Sequence, residues 1–394
     1  MSESKKLIPR RRFKQFSGNW NITTLGKIAE IVRGASPRPI QDQKWFDKNS
    51  DIGWLRISDV TEQEGRIYYL EQRLSLAGQE KTRVLYEPHL LLSIAATVGK
   101  PVINYIKTGV HDGFLIFLNP KFHQEFLFQY LDMFKLQWKK YGQPGSQVNL
   151  NSDIVKNHNI ELPNSDEQTQ IGEFFKKLDN LINTQQKKLE KAKTLKSAYL
   201  TEMFPNEGEL KPKRRFLSFK YNWKEFKIKE LFTITRGKVL ASNQVSMNRT
   251  YLYPYPVYSS QTKNNGLMGY YKEFLFENAI TWTTDGANAG TVNYRENKFY
   301  STNVNGVLLS SDGFANKAIA EMLDTIAWKY VSKVGNPKLM NVVMAEILIL
   351  IPNIEEQTKI GNFFKLLDNK IALEQKKLDK LKNIKQAYLN EMFV

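Results

Sequence analysis

Chemistry needs titratable or nucleophilic side chains at working distance, and this 394-residue chain offers few that converge. Its four histidines, His89, His111, His123 and His158, lack the spacing of metal ligands. There is no cysteine, which removes thiolate nucleophiles, thiolate metal sites and disulfides and suits a reducing cytoplasm. No glycine-rich loop ends in Gly-Lys-Ser/Thr, and no G-x-G-x-x-G follows a strand-like run. The Asn-Pro-Pro-aromatic tetrapeptide of amino-methyltransferases is also absent. Asp112 and Asp285 stand in turn sequences, where aspartate is expected for its bonds to nearby backbone. The sequence predicts no catalysis and no metal or cofactor held by this chain.

What the loops do hold is recognition material. Arg, Lys, Asn, Gln, Ser and Thr are the side chains that hold phosphates and read base edges. They gather in RGASPRPIQDQKWF (33–46), GWLRISD (53–59) and AATVGKPVINY (95–105), and again in 254–275 and 281–303. The first set offers Arg33, Ser36, Arg38, Arg56, Thr97 and Lys100 as candidate DNA contacts. The second offers Arg236, Lys238, Ser260, Gln261, Thr262, Lys263, Asn288 and Lys298. A net charge of +17 points the same way, to a polyanionic partner. Two short stretches, 5–14 and 211–224, carry six basic residues each and no acid. Phosphate contacts from them would make binding steeply salt-dependent.

The elements that position these loops are written twice. Residues 162–204 return at 351–393 without a gap, with 27 of 43 positions identical. Upstream, LIPRRRFKQFSGNW (7–20) is echoed by LKPKRRFLSFKYNW (210–223), and the match runs on to Arg33-Gly34 against Arg236-Gly237. Internal repeats of this kind outrank other sequence signals. In the 43-mer, Ile171, Phe174, Phe175, Leu178, Ile182 and Leu189 keep a three-four spacing, as do Ile360, Phe363, Phe364, Leu367, Ile371 and Leu378. That spacing predicts a long helix with one apolar stripe, about 57 Å from Glu167 to Phe204. Ser165 with Gln168, and Asn353 with Glu356, are expected to form capping boxes. Helices this long need a partner of like length, so the two repeats are expected to pair antiparallel about a pseudo-twofold axis. The basic segment 7–16 should then pack near 390–394.

The fold class expected is α+β: two mixed domains joined to a long antiparallel two-helix coiled coil. The divisions are a basic N-terminal joint (1–16), a first recognition domain (17–160) and a long helix (161–205). A second basic joint (206–219), a second domain (220–350) and a second long helix (351–394) follow. Strand-like runs are Ile28–Val32, Leu90–Ala95, Phe114–Leu118, Ala279–Thr283 and Gly306–Leu309, with one helix per domain at His123–Lys140 and Ala315–Val334. GKPVINY (99–105) and GTVNY (290–294) predict a shared glycine turn. No apolar run approaches the roughly 20 residues of a membrane span, and the N-terminus does not read as a secretory signal.

The order of these features resembles the specificity subunits of type I restriction–modification systems over nearly the whole chain. The resemblance is carried by Trp20…Leu25-Gly26 and Trp223…Ile228, by Arg-Gly after the first strand, and by Pro-Asn-x-x-Glu-Gln-x-x-Ile at both helix starts. Tyr-Leu-x-Glu-Met-Phe at both helix ends completes it. Ile228-Lys229 departs from the usual Leu-Gly. The resemblance implies two target-recognition domains, each reading half of a split, non-palindromic DNA site, and helices that act as a ruler. It also implies two methyltransferase subunits that modify adenine, and restriction subunits that translocate and cleave. S-adenosylmethionine, ATP and magnesium would belong to those partners. The alternatives are a coiled-coil scaffold that binds proteins only and an enzyme with unrecognised motifs.

Overall fold

The computed structural model describes residues 7–95, 97–138, 150–260 and 263–394. It divides into two compact units, one of residues up to Gln185 with Leu378–Val394, the other Gln186–Lys377. The first contains β1 (Asn21–Thr24), α1 (Leu25–Ile28), β2 (Glu30–Arg33), β3 (Gly53–Leu55), α2 (Ile57–Glu62), β4 (Arg66–Ile67), α3 (Leu76–Glu80) and β5 (Arg83–Leu85). It continues with β6 (Leu90–Ser93), β7 (Pro101–Asn104), β8 (Thr108–Val110), β9 (Phe114–Leu118), α4 (Gln124–Phe134), α5 (Ser152–Lys156) and β10 (Asn159–Leu162). The long helix α6 (Ser165–Glu202) leads into β11 (Lys224–Lys227), α7 (Ile228–Leu231), β12 (Thr233–Arg236), β13 (Tyr255–Tyr258) and β14 (Leu267–Tyr271). Then come β15 (Phe276–Thr283), β16 (Val292–Ser301), β17 (Asn305–Leu309), α8 (Lys317–Ile326), α9 (Asn341–Glu346), β18 (Leu348–Ile351) and the second long helix, α10 (Ile354–Met392).

Both units use one sheet frame. Strand order β2-β9-β6-β7 in the first corresponds to β12-β17-β15-β16 in the second, and a two-stranded pair, β1-β10 or β11-β18, stands beside each. Each frame gains a further strand in parallel, β4 on β7 and β13 on β16. Beyond that they differ. The first unit adds a three-stranded sheet β3-β8-β5, and the second extends through β14.

The structure explains why the helix-start motif is repeated. Asn164 caps α6 by accepting from the Glu167 amide at 2.9 Å, and Asn353 caps α10 by accepting from the Glu356 amide at 2.9 Å. Ser165 is therefore inside the helix rather than its cap. Neither glutamate closes a capping box, because each carboxylate is taken by an arginine of a basic joint. Arg12 makes two 2.7 Å bonds to Glu167, and Arg215 makes two of the same length to Glu356. The following glutamines, Gln168 and Gln357, bond back to the carbonyls of Pro163 and Pro352.

The helix-end motif is explained in the same way. Phe393 lies 5.9 Å from Phe175 and 6.4 Å from Trp20, and in the other unit Phe204 lies 5.7 Å from Phe364 and 6.3 Å from Trp223. The backbone of Arg11 donates to Glu391 O and that of Arg214 to Glu202 O, each at 2.8 Å. Each joint thus clasps the start of one long helix and the end of the other. Four of the joint arginines are spent in this clasp, so among the described residues the exposed charges left for an outside partner include Arg10 and Lys14 in one basic stretch and Lys211, Lys213, Lys220 and Lys224 in the other.

Within each unit the long helices run antiparallel. In the first, Phe174 meets Tyr388 and Asp179 pairs with Lys385 at 2.7 Å; in the second, Tyr199 meets Phe363 and Lys196 pairs with Asp368 at 2.7 Å. Ile171, Phe175, Leu178, Leu189, Ile360, Phe364, Leu367 and Leu378 are buried, while Phe174, Ile182, Phe363 and Ile371 are half-buried.

Several expected elements shift: the strand expected over Leu90–Ala95 ends at Ser93, and the one expected over Ala279–Thr283 begins at Phe276. Ile28 closes the α1 turn, so the strand begins at Glu30. The helix expected over His123–Lys140 ends at Phe134, its last two expected positions lying outside the described residues. The helix expected over Ala315–Val334 runs Lys317–Ile326, capped by Asn316, and then tightens into a 3₁₀ turn at Ala327–Tyr330. That turn lets Trp328 and Val331 reach Gly290, where an added Cβ would fall 2.8 Å from Val331 Cγ2. The shared glycine turn is present: Gly99 donates to Ser93 O and Gly290 to Thr283 O, both with φ near +85° (82° and 88°).

His158 belongs to the packing rather than to a site. Its ring lies 4.4 Å from Phe134 and 4.8 Å from Trp138, and burial lowers its pKa from 6.5 to about 4. Between those values the unfolded chain binds a proton that the folded chain refuses, so stability falls as pH drops through that window. Calorimetry at pH 7 and pH 5 should show a larger loss of Tm for the wild type than for His158→Phe. Identical losses would assign the acid sensitivity to other groups.

Candidate nucleic-acid interface

Sheet register places the end of β2, the end of β6 and the starts of β7 and β9 at one edge of the first unit's sheet. Arg33 closes β2, and the chain then passes so close to the 111–113 turn that a Cβ on Gly34 would sit 2.2 Å from His111 O. Only glycine permits that approach. Three of the candidate contacts meet on this turn. Arg33 Nε donates to Asp112 O at 2.6 Å, Ser36 Oγ to Asp112 Oδ1 at 2.8 Å, and an Arg38 amine to Asp112 Oδ2 at 2.8 Å. Partial burial works against the Asp112 charge, but the Ser36 hydroxyl and the charges of His111, Arg38 and Arg33 outweigh it and hold the carboxyl below its ordinary value. The Arg38 side chain remains 69% exposed, so its fork is free on the outer side.

Ile94 joins this edge by donating its amide to Gly113 O at 2.8 Å, and Thr97 close behind it in sequence is exposed. Arg56 stands at the N-cap position of α2, where its amide donates to Asp59 Oδ2 at 2.8 Å and its guanidinium is tied to the same carboxylate at 3.0 Å. Lys100 is directed elsewhere: its ammonium lies 3.6 Å from both Asp132 and Glu64 and its side chain is 18% exposed.

The second unit uses the same edge with different chemistry. A Cβ on Gly237 would lie 2.2 Å from Thr302 O, matching Gly34. The turn that corresponds to 111–113 now reads Thr302-Asn303-Val304, with no acid. Arg236 instead reaches Thr284 Oγ1 at 3.3 Å and Asp285 at 3.6 Å, and Lys338 approaches the same carboxylate at 3.9 Å. Lys238 is exposed, its amide bonded to Ser301 O. Asn288 Nδ2 donates to Ser260 O at 3.3 Å, and the Thr302 and Ser259 hydroxyls are 3.1 Å apart. Arg236, Lys238, Ser260 and Asn288 are therefore brought together. Lys298 sits instead on the second limb of β16, its ammonium 4.6 Å from the Phe274 ring. Gln261 and Thr262 lie outside the described residues, and Lys263 opens a 3₁₀ turn.

Sequence reasoning missed the organising role of Asp112, which it read as a turn residue; the signal was Asp-Gly directly before a strand. It also missed Lys338, for which no local signal exists. Among the described residues no group of three or more His, Asp or Glu could hold a metal ion, and no helix is long and apolar enough to cross a membrane.

The family model for the type I restriction modification DNA specificity domain matches this chain twice, at residues 17–194 and 220–383. The chain belongs to that family. It is a type I DNA specificity subunit with two recognition domains, one on each repeat of the frame. It is similar to the specificity subunit of the type I restriction enzyme EcoprrI of Escherichia coli, 24% identical over 86% of this chain and 84% of that one. The MpnII specificity subunit of Mycoplasma pneumoniae is 33% identical over 42% of this chain and 53% of its own length. Among solved structures, the S subunit of a type I system from M. genitalium superposes with a TM-score of 0.71 at 15% identity, over 98% of this chain and 99% of that one. At that identity the likeness speaks for the fold alone.

Proposed function

We propose that this specificity subunit is the non-catalytic DNA reader of a type I restriction–modification complex. Each recognition domain reads one half of a bipartite, non-palindromic site, and α6 and α10 set the spacer and dock two methyltransferase subunits. The observation that carries this reading is one sheet frame ending in two unlike loop clusters, arginines on an Asp112 turn in one and Arg236, Lys238, Ser260 and Asn288 in the other. Unlike readers imply unlike half-sites. Exposed Leu181, Leu195, Leu366 and Leu373 give the long helices apolar positions that suit protein partners.

The chemistry then resides in the partners. Adenine must leave the stack to be methylated, which the methyltransferase performs with S-adenosylmethionine. Restriction subunits use ATP and magnesium for translocation and cleavage in the same cytoplasmic complex. Exchanging residues 17–160 for the equivalent domain of another specificity subunit is expected to change one half of the methylated sequence and leave the other half intact. Mapping methylated adenines in cells carrying the exchanged chain and its partners checks this. Changes in both halves, or in neither, would refute one reader per half-site, and loss of duplex binding by the complex would favour a protein-only scaffold.

A further inference from the structure

Six charged side chains in the described residues are buried below a tenth of their exposure: Asp59, Glu125, Glu167, Glu321, Glu356 and Arg295. The five carboxylates each have a cation, Arg56, Arg66, Arg12, Lys317 and Arg215 respectively. Arg295 is the exception. It is 7% exposed, and among the described residues it forms no ion pair. Gln261 and Thr262, the residues of its unit outside the described set, carry no acid. A buried arginine without an anion is rare, because desolvating its charge is costly unless something compensates.

What surrounds it is partial compensation. Its Nε donates to Thr281 Oγ1 at 3.1 Å, and the guanidinium lies 3.8 Å from the centre of the Tyr258 ring. Tyr258 ends β13, and its carbonyl accepts from the Thr302 amide at 2.9 Å. The next residue, Ser259, meets Thr302 through their hydroxyls. The uncompensated charge thus lies on the ring of the residue whose strand end carries the Ser259 and Thr302 hydroxyls and leads to the Ser260–Asn288 pair of the candidate interface. A guanidinium beside Ser and Thr hydroxyls is the donor set that phosphate oxygens take. Burial lowers the Arg295 pKa to about 10, which still leaves it charged at neutral pH.

We propose that Arg295, stacked on Tyr258, is the countercharge of a DNA phosphate seated on Ser259 and Thr302 of the second recognition domain. The inference rests on the DNA-reading assignment above and adds to it a phosphate position that sequence could not mark. A phosphate contact fixes register and affinity without specifying a base, so its loss weakens binding to all sequences alike.

The test uses the full chain in complex with its methyltransferase subunits, and duplex DNA carrying the methylated site. Arg295→Met should weaken binding and lower the slope of log affinity against log salt by about one, with the methylated sequence unchanged. Its Tm should hold or rise, since removing an unpaired buried charge relieves desolvation. Arg295→Lys should keep the slope. Wild-type affinity and slope in Arg295→Met would overturn the proposal, as would an altered base preference in the second half-site. A fall in Tm of several degrees would also overturn it by showing that the fold itself pairs the charge. Failure of the wild-type complex to bind its own site would instead count against the DNA-reading assignment.

Discussion

Glu167→Ala is expected to destabilise the first unit by about 3–5 kcal/mol, the cost of stranding one member of a buried ion pair. The Glu167 side chain is fully buried and that of Arg12 is 12% exposed. Arg12 binds both carboxylate oxygens and spends its remaining amine on Gly18 O at 2.6 Å, so nothing else can neutralise it. Without Glu167 the joint must either bury a bare guanidinium or release it, and release uncovers the Phe13 contact with Phe174. Glu356→Ala should act equally on the second unit, since Arg215 repeats the geometry with side-chain exposures of 14% and 1%. The outer pair, Arg11 with Glu391, is 55% and 38% exposed, and Glu391→Ala should cost far less. Chemical denaturation of the three variants provides the comparison. A loss below 1 kcal/mol for Glu167→Ala would show that water, not the joint, satisfies Arg12. Replacing the pair together, Arg12→Met with Glu167→Leu, should recover most of the loss, because an apolar pair of similar volume avoids desolvation.

The clasp also shows what the sequence could and could not convey. The repeat located both joints, both helix starts and both helix ends, because each is a local motif copied at constant spacing. The roles inside the motif were less visible. Ser165 and Asn164 are both good caps, and only the path of the chain after Pro163 selects Asn164. Glu356 resembled a capping-box residue because its true partner, Arg215, lies 141 positions away. The sheet frame was legible where strands are long and apolar, as at Phe114–Leu118. Short parallel additions such as β4, two residues long, carry no periodicity to read. In the interface, exposure rather than residue type decided which candidates converge. Arg33, Ser36 and Arg38 are close in sequence and meet on one turn, whereas Lys100 looked equivalent and is held by Asp132 from α4. Arg295 passed unnoticed because its burial depends on Tyr258, from a different strand.

Adding one turn to both long helices should lengthen the gap between the two half-sites and leave the half-sites themselves unchanged. The packed ends of the helices lie within the units, at Asp179 with Lys385 and at Lys196 with Asp368. Between them the two copies carry equivalent residues, Gln186 in α6 and Gln375 in α10. Four residues inserted after each of these positions add about 6 Å at 1.5 Å per residue and turn the helix only about 40° beyond a full revolution. Helical propensity is preserved if the insert is drawn from alanine, leucine, glutamate and lysine. The end contacts of each unit keep their partners and only the exposed pairs Gln186 with Glu190 and Lys377 with Glu374 are interrupted, so Tm should hold within a degree or two. At 3.4 Å per base pair the extra length corresponds to about two base pairs of spacer. An insertion in only one helix is the control: it displaces one set of end contacts by a turn, separating partners such as Phe174 and Tyr388, and should lower Tm instead of resetting the gap. Methylated adenines mapped in cells carrying the doubly extended chain decide the matter. Altered half-sites across an unchanged gap would mean that the loops, and not the helices, measure the distance.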